Sequence, residues 1–370
     1  MAPRVPDDNA TVCDETSSIM ERTRDYLGVP SVVGWEAPFL THLEDDLRGH
    51  GLAVRRRPGL LVADGGGSGA LSVHVDRHGL VTLEGGECGY AAAVVRSRRY
   101  GEVFHPSPPT TERICTRLGS EVVYAYEPVS GERIASGVTA HDEMCALDQT
   151  ALRLTVRGLG DVPAGTPVAF DHACRESDAR FSGQLDNALS AGLAVEAVAA
   201  GFDGQLLLTT EEEIGRSWQP LLDHLTEQGL RGGPLLVLDT SPFDGPDECD
   251  AGAVVLRHRD AHGWFDADLV GRLAGAAAGA GAPVVYKDDH IAGLNRQRRA
   301  AGRTELGLGS TELGRLVAAS SAPVPGATLQ VPTFDYHTNH ETATRRAIRS
   351  AFSVLVSTMV SGSGNPRRPG

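Results

Sequence analysis

Three adjacent glutamates, Glu211, Glu212 and Glu213, follow the apolar run Leu206-Leu207-Leu208 within the stretch TTEEEIG, Thr209 to Gly215. The run reads as a buried strand. Three carboxylates at its end repel one another unless something cationic meets them. Metal ions would remove that penalty and divide the work, one glutamate binding metal while its neighbour handles a proton. A solvated strand-to-helix turn, with Glu favoured by the helix dipole, explains the same residues. The stretch alone does not separate the two readings.

Further residues of the same chemistry recur along the chain. Ala70-Leu71-Ser72-Val73 ends in His74-Val75-Asp76. At a strand end His74 can face a metal while Asp76, two residues on and on the same side, orients it through a hydrogen bond. Asp186 stands where a helix from Ala188 to Ala200 begins, as its N-cap or as a carboxylate bridging two ions. Asp239 follows the strand Leu235-Leu236-Val237-Leu238, and His337 lies in PTFDYHTNHE after the strand Thr328 to Val331. Singly these are a packed histidine, a cap, a turn former and a loop residue. Jointly, two histidines and at least three carboxylates suit two zinc-like ions with one carboxylate between them, leaving a spare glutamate as general base.

The elements that must position them alternate between strand and helix. A helical pattern from Thr16 (Ile19, Thr23, Tyr26, Leu27) closes at Gly28 and Pro30, and a second helix covers Glu36 to His50. Strands are expected at Leu52–Val54, Leu60–Val62, Ala70–Val73, Leu206–Leu208, Leu235–Leu238, Val254–Leu256 and Pro283–Tyr286. Helices are expected around Leu221–Leu225, over Asp266–Gly279 and over Glu341–Val360. This is an α/β pattern, a mixed sheet with helices on both faces, and such sheets build sites at their strand ends. From Gly79 to Phe170 the texture changes to short β-type runs (Leu80–Leu83, Ala91–Val95, Glu121–Tyr126, Leu152–Val156, Thr166–Phe170) between Gly, Pro and Ser turns. Helical periodicity is largely missing there, which indicates an inserted small β-barrel or sandwich. His78, His105, His141 and His172 fall in it or at its edge and read as surface or packing residues. The expected division is a catalytic domain over residues 1–78 and 173–370, interrupted by a β domain over 79–172. The tail GSGNPRRPG is expected to be disordered.

Composition narrows the partners. With 370 residues, 41% hydrophobic, the chain can bury a sizeable core. A net charge of −14 argues against nucleic acid or an anionic membrane and suits a host for cations. The six cysteines are scattered without a C-x-x-C pair and read as buried or inert thiols in a reducing compartment. The polar, acidic start is not a secretory signal, and no apolar run reaches the ~18 residues of a membrane span. A cytoplasmic location is the expectation.

The ordered series HVD, LDN, EEEIG, LDT, YHTNHE resembles the co-catalytic metallo-aminopeptidases of the tetrahedral (TET), glutamyl and deblocking aminopeptidase family. The likeness extends over nearly the whole chain, including the inserted β domain and STELGR, which is similar to the family's GTDAGR segment. It implies a zinc-exopeptidase-like fold and two divalent ions per chain, zinc first, with cobalt or manganese as alternatives. It further implies His74 and Asp239 as ligands of one ion, Glu213 and His337 of the other, and Asp186 as the bridge. Glu212 would be the general base and Asp76 the support of His74. Gly215 sets the register, since the pair before Ile-Gly is Glu212 and Glu213, whereas Glu211 stands where the family usually has Gln. His337 is preferred to His340 because it opens the His-Thr-x-x-Glu frame ending at Glu341. Arg77 and His78, RSWQP after Gly215, Asn339 and Glu312 depart from the family pattern without removing a ligand.

The implied reaction is metal-assisted hydrolysis of the N-terminal amide bond of short peptides, Glu212 passing a proton from water to the leaving amine. An N-acyl amide hydrolase (deacylase) acting on a small metabolite is the alternative, motivated by the residues around Arg77 and Arg216 to Trp218. A non-catalytic relative that kept the fold would show a lost ligand or base, and every position is filled. Self-association through the β domain, from dimer to dodecamer, is implied by the same resemblance.

Overall fold

A computed structural model describes residues 8–84, 87–103, 108–140, 146–147, 152–171, 174–228 and 233–360. Its main sheet has eight strands in the order Ala53–Arg57, Leu60–Asp64, Gln205–Thr209, Ala70–His74, Leu235–Pro242, Gly326–Thr333, Val254–Leu256, Val284–Tyr286. The four central strands, from Gln205–Thr209 to Gly326–Thr333, run parallel. Every residue of Ala70–His74 and of Gln205–Thr209 is buried. Continuous apolar runs of this kind belong to parallel strands covered on both faces. Helices Asp8–Leu27, Leu185–Ala199, Ala267–Gly279 and Arg345–Met359 pack together as one layer, and Trp218–Gln228 packs on Glu312–Ala319 in another. The expected mixed α/β sheet with helices on both faces is what forms.

A second eight-stranded sheet, antiparallel throughout, is built from residues 80–170 in the order Val156–Arg157, Arg133–Thr139, Val122–Tyr126, Pro167–Phe170, Leu80–Thr82, Cys88–Tyr90, Leu152–Leu154, Ala146–Leu147. Leu154 and Val156 are two residues apart in the chain yet belong to opposite flanks of that order. The sheet therefore curls into a nearly closed barrel. Its core holds Leu80, Val123, Tyr124, Tyr126, Leu152 and Val168, and it takes in Val32, Val33 and Ile214 from outside.

Several expectations give way. Ala91–Tyr100 is a helix, not a strand, and Pro108–Leu118 is a further helix in the inserted segment. Ala91 to Val95 are buried all round, so the helix shows no apolar stripe in sequence. Its alanines favour helix, and Gly101 at φ 64° supplies the left-handed cap. Lys287–Ala300 is a helix with no counterpart in the sequence reading. The last helix begins later than expected. Glu341–Thr344 is a strand paired with Arg180–Gly183, and Thr344 caps Arg345–Met359 by accepting the Ala347 N–H at 3.2 Å. Cys115 is disulfide-bonded, so the scattered cysteines give no argument for a reducing compartment. No helix among the described residues is long and apolar enough to cross a membrane. His105, His141, His172 and the C-terminal tail lie outside the described residues.

Candidate metal centre

The parallel pairing sets Thr209 level with His74, so the glutamate turn leaves the sheet beside the histidine. Glu211 takes a left-handed conformation, φ 67°, and Glu212–Ile214 form one tight helical turn closed by Gly215 at φ 72°. Ile214 anchors this turn in the core of the second sheet. The Glu211 carboxylate faces away from the cluster, held by Arg99 and by the Tyr100 hydroxyl. Glu212 and Glu213 are left as the pair directed inward.

Asp76 ties the turn to the histidine strand. Its Oδ1 accepts the Glu212 N–H and its Oδ2 the Glu213 N–H, both at 3.0 Å, while His74 Nδ1 stands 3.6 Å away. Positioning the two glutamates is thus its closest contact, and support of His74 a longer one.

Asp186 sits where the helix Leu185–Ala199 is broken. Its φ and ψ are −76° and 108°, and the Asp186–Asn187 peptide is cis. Its carboxylate is turned to His74 and His337, with Oδ1 lacking a hydrogen-bond partner among the described residues, so it is not the cap its position in sequence suggested. Its backbone N–H is accepted by Glu341 Oε2 at 3.0 Å, and Glu341 Oε1 accepts the Thr333 hydroxyl at 2.7 Å. The Asn187 amide reaches the Leu238 carbonyl at 3.0 Å, one residue before Asp239. Beneath the sheet ends, buried Glu312 accepts the hydroxyls of Ser72 at 2.5 Å and Thr209 at 2.6 Å, joining the two strands that deliver His74 and the glutamates.

The side chains converge on Asp186. Its Oδ1 is 3.1 Å from His74 Nε2, which is 3.5 Å from Asp239 Oδ1. Its Oδ2 is 3.1 Å from His337 Nε2, which is 3.9 Å from Glu213 Oε2. The two oxygens of one carboxylate thus serve two separate donor sets. His337, at φ 60°, is held by the stacked Tyr336 ring, centroids 3.6 Å apart. His340 lies elsewhere, with Nε2 3.4 Å from Glu121.

One member was misread in the sequence. His78, expected to be a packing residue, places Nε2 2.9 Å from Glu213 Oε2 and its ring edge-on to His337, centroids 4.1 Å apart. The alternation that puts Asp76 on the side of His74 also reaches residue 78, but the strand Ala70–His74 has ended by then, which leaves that signal weak.

The electrostatics are those of acids crowded out of water. Burial, with the charges of Glu213, Asp239 and Asp76, pushes the Glu212 carboxyl well above its ordinary range. Burial and the neighbouring Asp186 charge push Glu213 to about 8. Burial pulls the His74 imidazole down, but Asp186, Asp239 and Asp76 outweigh it and hold the ring's proton affinity well above normal. Asp186 is buried too, yet His337 and His74 keep it ionised, well below the usual carboxylate value. Burial lowers His337.

Two observations fit divalent cations. His74 Nδ1, Asp186 Oδ1, Glu213 Oε1 and His78 Nε2 are buried without a hydrogen-bond partner among the described residues, despite the short separations above. Atoms that approach without hydrogen-bond alignment are suited to share a third partner. Ligands about 2.0–2.2 Å from a tetrahedral ion stand about 3.3–3.6 Å apart, and the separations of 2.9 to 3.9 Å bracket that edge. A cavity of about 580 Å³ adjoins the cluster, lined by Tyr336, Thr338, Arg117, Phe243 and Lys287 among others. Arg117 reaches from it to His337 Nδ1 at 3.4 Å.

No family model matches the sequence, and no curated protein matches it. Solved structures do resemble it. An aminopeptidase from the archaeon Desulfurococcus kamchatkensis superposes with a TM-score of 0.68 at 14% identity, over 93% of this chain and 95% of that one. A TET aminopeptidase from a marine-sediment thaumarchaeon gives 0.67 at 13% identity, over 94% and 96%. The TET1 peptidase of Pyrococcus horikoshii, which can assemble into a tetrahedron or a large octahedral shell, gives 0.64 at 14% identity, over 92% and 99%. The likeness is one of fold and covers both the sheet that carries the cluster and the barrel beside it.

Proposed function

We propose that the chain is a two-metal aminopeptidase that hydrolyses the N-terminal amide bond of short peptides. The observation that carries this reading is the double convergence on Asp186, with His74 and Asp239 on one oxygen and His337 and Glu213 on the other. These five residues would hold two divalent ions, zinc or in its place cobalt or manganese. When bound, the ions supply a water of lowered pKa and a polarised substrate carbonyl. The protein's part is positional and protonic. Glu212, fixed by Asp76 through its backbone and half-buried beside the ligands, takes a proton from the attacking water and returns it to the leaving amine. The adjoining cavity has room for a short peptide, and its lining carries charges of both signs, Arg117 and Lys287 beside Asp244 and Asp335.

Self-association belongs to the same proposal. Val122, Ile134 and Val138 are exposed on neighbouring strands of the barrel, and Val122 pairs with Val138. An apolar patch of this kind suits contact between copies of the chain.

The test is metal analysis and assay of the wild type and Glu212→Gln against aminoacyl anilides and N-acyl amino acids. Two ions per chain in both proteins are expected, with anilide cleavage lowered about 10²- to 10⁴-fold in the variant. Cleavage of N-acyl amino acids alone would replace the peptidase by a deacylase. A chain that takes up no zinc, cobalt or manganese would end the reading.

A further inference from the structure

The donor set around Glu213 is larger than the chemistry above requires. His78 Nε2, Glu213 and His337 bring three ligand atoms within 4.8 Å of one another, as do His74, Asp186 and Asp239 in the other set. Asp186 Oδ2 adds a fourth donor to the set that contains His78, through its 3.1 Å approach to His337. We infer that His78 is a ligand of the second cation, completing a site of two imidazoles and two carboxylates, while the first cation keeps three protein ligands. The inference rests on the two-metal reading.

A hydrogen bond from His78 to Glu213 is the competing account. The two atoms are 2.9 Å apart, but His78 Nε2 has no hydrogen-bond partner among the described residues, so the N–H and the oxygen are not aligned. The other ring nitrogen is engaged, with Nδ1 2.7 Å from the Tyr90 hydroxyl. When the phenol oxygen accepts the Nδ1–H, Nε2 presents its lone pair to the space shared with Glu213 and His337. Metal-binding histidines commonly have the second nitrogen fixed in this way, which sets tautomer and ring orientation. The backbone is fixed as well, since the His78 carbonyl accepts from the Gln184 side chain at 2.8 Å. His78 is only 9% exposed, so bulk water does not compete for the ring.

The difference in donor number has a chemical consequence. Three protein ligands leave a position open for water or substrate, whereas four close a tetrahedral site. Water activation would then fall to the ion held by His74, Asp186 and Asp239, with the ion at His78 fixing Asp186 and Glu213.

Titration of zinc into metal-free wild type, His78→Phe and Tyr90→Phe, read by calorimetry, tests this without an activity assay. Cobalt absorption spectra of the same proteins report the ligands of each ion. The wild type should bind two ions. His78→Phe should bind one ion as the wild type does and the other about 100-fold more weakly, with the cobalt absorption of that ion altered by loss of an imidazole, and Tyr90→Phe should weaken the same ion about 10-fold. Two ions bound by His78→Phe with wild-type affinities would overturn the assignment and leave the two-metal reading standing. A wild type that takes up no second ion would overturn both. Should circular dichroism show His78→Phe unfolded, Tyr90→Phe decides, and unchanged affinity there overturns the assignment.

Discussion

Asp76→Asn is the sharpest test of how the centre is assembled. The carboxylate is fully buried and spends one oxygen on each of two N–H groups, those of Glu212 and Glu213, both at 3.0 Å. Asparagine keeps one acceptor, and its amide turns an N–H toward the remaining backbone N–H. One charge-assisted bond, worth about 1.5–3 kcal/mol, is therefore lost. At about 1.4 kcal/mol per factor of ten, local opening of the turn should become roughly 10- to 150-fold more frequent. Hydrogen–deuterium exchange at the Glu212 and Glu213 amides reads that change directly. Hydrolysis should fall about 100-fold, since a displaced base loses alignment with its water. The alternative is that Asp76 acts through His74, 3.6 Å away. In that case the variant would weaken binding of the ion at His74 and leave exchange at the two amides unaltered. Unaltered exchange would refute the strapping argument.

Two more predictions follow from buried acids outside the ligand set. Glu312→Gln should lower stability by about 1–3 kcal/mol, because an amide nitrogen replaces one of the two acceptors and forces the Ser72 or Thr209 hydroxyl to reverse its role in a buried site; an unchanged urea midpoint would count against Glu312 as the tie between those strands. Glu36 is the pH-sensitive position, its carboxyl raised by burial and by Asp76 to about 8 from 4.5. Because the folded value lies above the unfolded one, the stability this group contributes is complete below about pH 4.5 and is lost as pH rises through about 8. Metal-free Glu36→Gln should thus melt progressively higher than wild type from pH 5 to pH 9, and a gap that stays constant over that range would contradict the shift.

Much of this architecture was legible because parallel strands buried on both faces advertise themselves as continuous apolar runs. Leu206–Leu208 and Leu235–Leu238 are such runs, and the residues that follow them mark the carboxyl edge. Motif order then named His74, Asp186, Glu212, Glu213, Asp239 and His337, and the structure brings all six together. The misreadings share a physical cause. Ala91–Val95 lies in a helix whose first turns are enclosed, which erases the period that separates helix from strand. Asp186 reads as a cap because caps and bridging carboxylates occupy the same place in sequence, and only its side-chain partners, His74 and His337, distinguish them. His78 and Glu312 were set aside as departures from a pattern. Their partners, Glu213, Ser72 and Thr209, are supplied by the sheet and are invisible to local spacing.

The distribution of acids explains why a cation should be part of this fold and not an addition to it. Asp76 faces two backbone N–H groups and holds the glutamate turn in place, while Glu341, its own carboxyl pushed well above the usual range by burial and by Asp186, accepts the Asp186 N–H. Burial, with Asp76 among the neighbouring charges, raises the cost of ionising the carboxyls that remain, and Glu213 near 8 and Glu212 well above its ordinary range are the result. Neutral carboxyls are poor ligands and poor bases. Divalent cations reverse the balance, because each favours the charged form of every acid around it. Under the proposed reading, metal binding should release protons near neutral pH and stabilise the folded chain in the same step. Asp76, which holds the glutamate turn, then sharpens the site's demand for the ions that let Glu212 ionise.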